Sequence, residues 1–370
     1  MEKKDNESGM IVFVVLGRLG KSLSRYKIDP IINSEKVQKV FAFREDEGFP
    51  IKGVSYVTLP DRLRNAHGLH KLSRVGYELR QLYRYAKKYR PALINGVFTM
   101  PKGLYSVIVG RLLHIRTMVS VIGGEVEITN TDTRHPALME RLVLWILKKA
   151  DIVTTKGTKV SRCIIERGID PAKVHVFNGS IDTLTYKPNK NIRRDIDVLF
   201  VGSFSPLKGP DRVLETVKKL KEHGIINVNA VFLGSGELFD EIRAKVNEYG
   251  MQNNVTLEGY RENTVGYFQR ARILMMPSRS EGLASAMLEA MSCGCVPVVS
   301  DVGNMTDAAK HAFNAYVVSD HMDVEGFTKH IQELLQNEKL RLDIAKNGSE
   351  FVHDHYSLQV QSKIFEEMIS

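Results

Sequence analysis

Short apolar runs alternate with amphipathic segments along most of the chain, and few folds accept that rhythm. In the first half the runs are MIVFVVLG (10–17), KVFAF (39–43), VSYVTL (54–59), ALINGVF (92–98), TMVSVIG (117–123), DIVTTK (151–156) and VHVFN (174–178). Helical patterns fall at 71–90, 101–113, 136–149 and 158–168. In the clearest of them Leu72, Val75, Leu79, Leu82 and Ala86 share one stripe. Apolar strands separated by helices imply a parallel sheet covered on both faces. The stretch 179–197 is polar and aperiodic. The rhythm then restarts with DVLFVG (197–202), VNAVFLG (228–234), NVTLEG (254–259), RILMMPS (272–278), VPVVS (296–300) and NAYVV (314–318), and with helices expected at 209–223, 237–249, 284–292, 324–335 and 358–370. The predicted class is therefore α/β, with two doubly wound domains. Residues 1–180 form the first, 181–196 a linker, 197–356 the second, and 357–370 a terminal helix packing back toward the first. A cleft between two such domains, facing the carboxyl ends of both sheets, is the expected site.

A chain of 370 residues suits two domains. Its longest apolar runs fall far below the roughly 20 residues needed to span a bilayer, and the segment before Met10 lacks the form of a signal peptide. The expected location is cytoplasmic, with a peripheral position at the inner face of the plasma membrane as an extension. Three cysteines make no disulfide framework, and Cys293 and Cys295 read as core residues of a helix-to-strand turn. His353 and His355 have no second ligand pair nearby, so no metal site is expected. Charge is split unevenly: residues 1–180 carry a net +14 and residues 181–370 a net −5. A basic first half suits an anionic surface or ligand. Helix 71–90, with seven Lys and Arg, could lie on a membrane, although the plainer reading packs its stripe on the sheet. No nucleic-acid-binding motif accompanies the charge.

The segment 277–300, PSRSEGLASAMLEAMSCGCVPVVS, carries the most chemistry. A strand ends, a loop follows, and a helix is expected to begin near Ala284. The backbone N–H groups of Gly282, Leu283, Ala284 and Ser285 are then open, and with the helix dipole they form an anion site. Glu281 precedes them and Glu289 lies two turns further on. Carboxylates there can accept hydrogen bonds from sugar and ribose hydroxyls. A second loop, VGSFSPLKGPDR (201–212), offers Gly202, Ser203 and a point charge at Lys208. Asp195-Ile-Asp197 is a literal D-x-D, but it enters a strand instead of following one and reads as a charged strand entry.

These residues resemble glycosyltransferase family 4, also called group 1, whose members have the GT-B fold of two Rossmann-like domains. The family pattern E-G-[FL]-x4-L-E-A-M-x2-G-x-P-V-V is met by Glu281, Gly282, Leu283, Leu288, Glu289, Ala290, Met291, Gly294, Pro297, Val298 and Val299. The pattern V-G-R-x4-K-G is met by Lys208 and Gly209, with Ser203 where the family has an Arg. NGSIDTLTYKP (178–188) resembles the family's N-G-V-D-x3-F-x-P, and Gly234–Glu237 its nucleotide-side loop. VSVIGGE (119–125) resembles its H-G-x-D strand end, with Gly123, Gly124 and Glu125 on the acceptor side and the His role vacant. Gly17 and Gly20 match weakly a first loop that faces the donor.

The resemblance implies a retaining transfer of a sugar from a nucleoside-diphosphate donor to a hydroxyl of a glycan or lipid-linked acceptor, in glycan, glycolipid or cell-surface polysaccharide synthesis. Lys208 and the 282–285 backbone would stabilise the departing diphosphate, so no metal or other cofactor is expected, and Glu281 would orient the sugar. A sugar-nucleotide epimerase of the same architecture is the alternative, and a nucleic-acid binder a more distant one.

Overall fold

The computed structural model describes residues 9–64, 70–129 and 135–370. The chain divides into two compact units, 1–180 together with 358–370, and 181–357.

The first unit holds a seven-stranded sheet of β1 (Met10–Gly17), β2 (Val37–Arg44), β3 (Val54–Thr58), β4 (Leu93–Val97), β5 (Arg116–Val121), β6 (Ile152–Thr155) and β7 (Val174–Val176), in the order β3-β2-β1-β4-β5-β6-β7. All pairs are parallel; Val12, for example, lies opposite Val40 on one side and Leu93 on the other. Residues of β4 are buried throughout, which explains a run with no polar alternation. Helices His70–Tyr89, Leu104–Leu113 and Pro136–Lys149 supply cores with Leu82, Ala86, Val109, Val143 and Ile146. Each of these Leu, Val and Ile side chains contributes about 1.5–3 kcal/mol on burial. The stripe expected on 71–90 holds only in part. Leu82 and Ala86 are buried, whereas Leu72 is 71% and Val75 36% exposed.

Helix Leu358–Ile369 packs within this first unit. Phe365 is fully buried 6.1 Å from the Phe177 ring. Arg116 donates to the carbonyls of Met368 and Ile369 at 3.3 and 2.8 Å.

The second unit holds β8 (Ile196–Val201), β9 (Ala230–Leu233), β10 (Val255–Gly259), β11 (Ala271–Met276), β12 (Val296–Ser300) and β13 (Tyr316–Val318), in the order β10-β9-β8-β11-β12-β13, again all parallel. The winding repeats that of the first sheet. Strand order reverses between β8 and β11, and the crevice outside their carboxyl ends is where this architecture binds ligands. The polar segment 181–196 packs with this unit. Arg194 donates to the carbonyls of Phe268, Ala271 and Cys293, and Gln269 to that of Lys187. A helix over Glu338–Tyr356, which the sequence pattern did not indicate, closes the unit. Both acids of the D-x-D are held at the entry to β8: Asp195 by Arg270 at 2.8 Å and Asp197 by Arg272.

Candidate functional site

At the reversal point of the second sheet two loops meet. The first follows β8. Phe204 is buried against Phe200, Phe232 and Phe239, with centroids 5.7, 6.3 and 4.9 Å away, and its backbone pairs with Ser235 and Leu238. These contacts fix the loop carrying Gly202, Ser203 and Lys208. Gly234 is required by close approach, since a Cβ there would lie 1.8 Å from the Gly202 carbonyl oxygen. The backbones at Gly202 and Gly234 thus touch, and Gly202, Ser203, Gly234 and Ser235 line a cleft of about 330 Å³ with Tyr260, Arg261 and Thr264.

The second loop follows β11. Lys208 Nζ lies 2.5 Å from Glu281 Oε1, and Ser278 Oγ donates to the same oxygen at 2.9 Å. The Glu281 side chain is 8% exposed. The helix of this loop is Ser285–Ser292, one residue later than expected, with Ala284 in extended conformation as its N-cap and no side chain capping it. The N–H groups of Gly282, Leu283, Ala284 and Ser285 make no hydrogen bond among the described residues. Those of Ala284 and Ser285 are orphan donors of the helix start, and those of Gly282 and Leu283 belong to the loop just before it.

Glu289, on that helix, is partly buried, and its carboxylate has no hydrogen-bond partner among the described residues. Burial alone pushes its pKa up from 4.5 to about 7. The Tyr186 hydroxyl nearby is pushed up to about 12, first by burial and then by the Glu289 charge. As pH rises from about 4.5 to 7 the unfolded chain releases this proton before the native one, so stability falls across that window. Glu289→Gln is therefore expected to stabilise the nucleotide-free protein at pH 8 by on the order of 1–3 kcal/mol and to leave it unchanged at pH 4. Melting temperatures across pH check this, and a pH-independent difference would sink it.

Lys208, Glu281, the 282–285 backbone, Gly202, Ser203, Gly234, Gly236 and Glu289 all fall in this second unit. Gly17, Gly20, Gly123, Gly124 and Glu125 fall in the first, at the carboxyl ends of β1 and β5. Gly17 covers Lys102, whose Cε would be 2.9 Å from a Cβ there. Buried Arg44 holds the following turn through the Leu19 carbonyl at 2.7 Å and Ser24 Oγ at 2.6 Å. Glu127 accepts from the N–H groups of Thr99, Ile122 and Gly123 at 2.6, 2.9 and 2.6 Å, fixing the Gly123–Gly124 loop.

Sequence reasoning missed Arg44, Glu127, Ser278, Tyr260, Arg261, Thr264 and Gly303. Arg261 lines the same cleft as Ser203, with its guanidinium 2.7 Å from Glu258. Cys293 and Cys295 are buried free thiols, both pushed up to about 12 by burial. No group of three or more metal-ligating side chains occurs among the described residues.

Two doubly wound units with these parallel sheets have the GT-B fold. The Anabaena HepE structure, in complex with UDP, superposes with a TM-score of 0.77 at 14% identity, over 97% of this chain and 99% of that one. Residues 182–351 match the glycosyl transferases group 1 model. The chain is 23% identical over 268 residues to the uncharacterized glycosyltransferase MJ1178 of Methanocaldococcus jannaschii, covering 70% of each. It is 26% identical over 212 residues to the D-inositol 3-phosphate glycosyltransferase of Jonesia denitrificans, covering 50% of each. The chain thus spans about half the length of that second relative.

Proposed function

We propose that the protein is a retaining glycosyltransferase that moves a sugar from a nucleoside-diphosphate donor to a hydroxyl of a glycan or lipid-linked acceptor. The observation that carries this reading is the Lys208–Glu281 pair set against the open N–H groups of 282–285. A cation and a row of unpaired donors converge at one loop, and a diphosphate is the anion that suits both. The UDP bound by the HepE structure supports the same donor class.

In this reading the diphosphate takes Lys208 and the helix start, and Glu281 turns to the sugar hydroxyls. Glu289 accepts from the ribose, which supplies the hydrogen bonds its carboxylate lacks. Charge building on the departing diphosphate is met by groups already in place, so little reorganisation accompanies bond breaking. The protein then needs no metal for that task. No side chain is assigned as a nucleophile. The match of residues 182–351 to a glycosyl transferase model favours transfer over epimerisation.

The test is thermal shift with UDP, GDP, ADP and CMP, with and without EDTA, on wild type and Glu289→Ala. One nucleotide should raise the melting temperature, independently of EDTA and less in the variant. No shift with any nucleotide would overturn the donor reading; a shift abolished by EDTA would overturn the metal-free one.

A further inference from the structure

The helix Pro136–Lys149 carries two exposed apolar side chains, Leu138 and Trp145, on the side away from its core face, with Leu142 between them reaching back to the core. Its inner face is ordinary: Val143, Ile146 and Leu147 are fully buried in the first unit's core. Its outer face should be polar. Instead Leu138 is 65% and Trp145 42% exposed, with Leu142 partly buried between them. The spacing 138, 142, 145 puts the three on one stripe. Arg141, Lys148 and Lys149 flank that stripe and are exposed. The helix has one acid, Glu140, and Arg167 engages it at 2.9 Å. The outer face therefore shows three cations, no anion and the single tryptophan of the chain.

We infer that this face docks on an anionic phospholipid bilayer. An aromatic ring with a polar edge settles at the depth of the headgroups, flanking Lys and Arg meet lipid phosphates, and a short apolar line enters the acyl boundary. The basic helix His70–Tyr89 is a poorer match. Its exposed Leu72 and Val75 lie at one end, and its exposed cations Arg80, Arg84, Lys87 and Lys88 lie toward the other and on a different side. The net +14 of residues 1–180 adds long-range attraction to the same surface. The inference does not depend on the donor reading, which has its own readout.

Trp145 reports directly on this face in the unmodified full chain. With vesicles of phosphatidylcholine containing about 30% phosphatidylglycerol, its emission should shift to the blue and be quenched by acyl-brominated lipid, and neither should occur with phosphatidylcholine alone. Arg141→Glu/Lys148→Glu/Lys149→Glu should weaken vesicle binding by more than about a hundredfold, whereas Arg84→Glu/Lys87→Glu/Lys88→Glu should change it less than about tenfold. Both variants should keep the wild-type melting temperature and nucleotide shift, which separates docking from folding and from the donor site. Three results would each overturn the proposal: no emission change with any anionic vesicle, sedimentation with vesicles at unchanged emission, or a blue shift that follows protein concentration without lipid and coincides with dimer formation.

Discussion

Lys208→Ala is expected to lower turnover of the nucleoside-diphosphate sugar about a hundred- to a thousandfold, the loss typical of removing one preorganised contact to a developing anion. The same change should destabilise the empty protein. Glu281 is 8% exposed and would keep only Ser278 as a side-chain donor. Stripping one partner from such a pair leaves a poorly compensated charge, worth up to about 3 kcal/mol. The two effects separate in the double variant. Lys208→Ala/Glu281→Gln removes the stranded carboxylate and should recover most of the melting temperature, yet its turnover should stay well below that of Glu281→Gln alone because the cation is still missing. The measurements are thermal melts and release of the nucleoside diphosphate. If the double variant turned over as fast as Glu281→Gln, Lys208 would be a counter-ion to Glu281 and nothing more.

Gly303→Ala should be nearly as damaging without touching any charged group. A Cβ at Gly303 would lie 1.7 Å from the Glu281 carbonyl oxygen, and the residue has φ +54. Asn304 next to it donates its N–H to the Gly282 carbonyl at 3.0 Å. The loop 281–285 is thus laid against a bare backbone and must move to admit a methyl group. The expected loss is about 3–5 kcal/mol, on the order of 10 °C in the melting temperature of a unit this size, with loss of the nucleotide shift. Gly250→Ala is the matched control. It has φ +61 but open space around its Cα, so it isolates the left-handed strain of about 1 kcal/mol. Equal losses in the two variants would mean that close approach at Gly303 does not decide the outcome.

The contrast between Glu281 and Gly303 shows what kind of information the sequence displays. Glu281, Gly282, Leu283 and Glu289 sit in one contiguous motif, and the apolar run that precedes them marks β11 with little ambiguity. Gly303 and Arg261 lie on other strand ends, with no local sign that they belong to the site. Only the winding of the sheet brings them near, and winding is a long-range property. The helix Glu338–Tyr356 escaped notice because EKLRLDIAKNGSEFVHDHY is mostly polar and has a glycine in its middle; Gly348 lies there against Met291 and the Asn314 carbonyl. The segment 181–196 looked like free linker because polar residues such as Arg194 act through backbone carbonyls distant in sequence, and composition does not show that. Helix 71–90 misled in the opposite direction, since periodicity cannot tell that a stripe outruns the sheet beneath it.

The helix Leu358–Ile369 gives the chain an unusual order of assembly. Its Phe365 completes the core of the first unit, and its last carbonyls satisfy Arg116, yet it is synthesised after the whole of the second unit. On the ribosome the first unit therefore waits, with the pocket around Phe177 unfilled, while 177 residues of another fold are made. A ribosome stalled or a message cut just short of that helix would release a polypeptide whose flaw lies not at its new end but in the part made first.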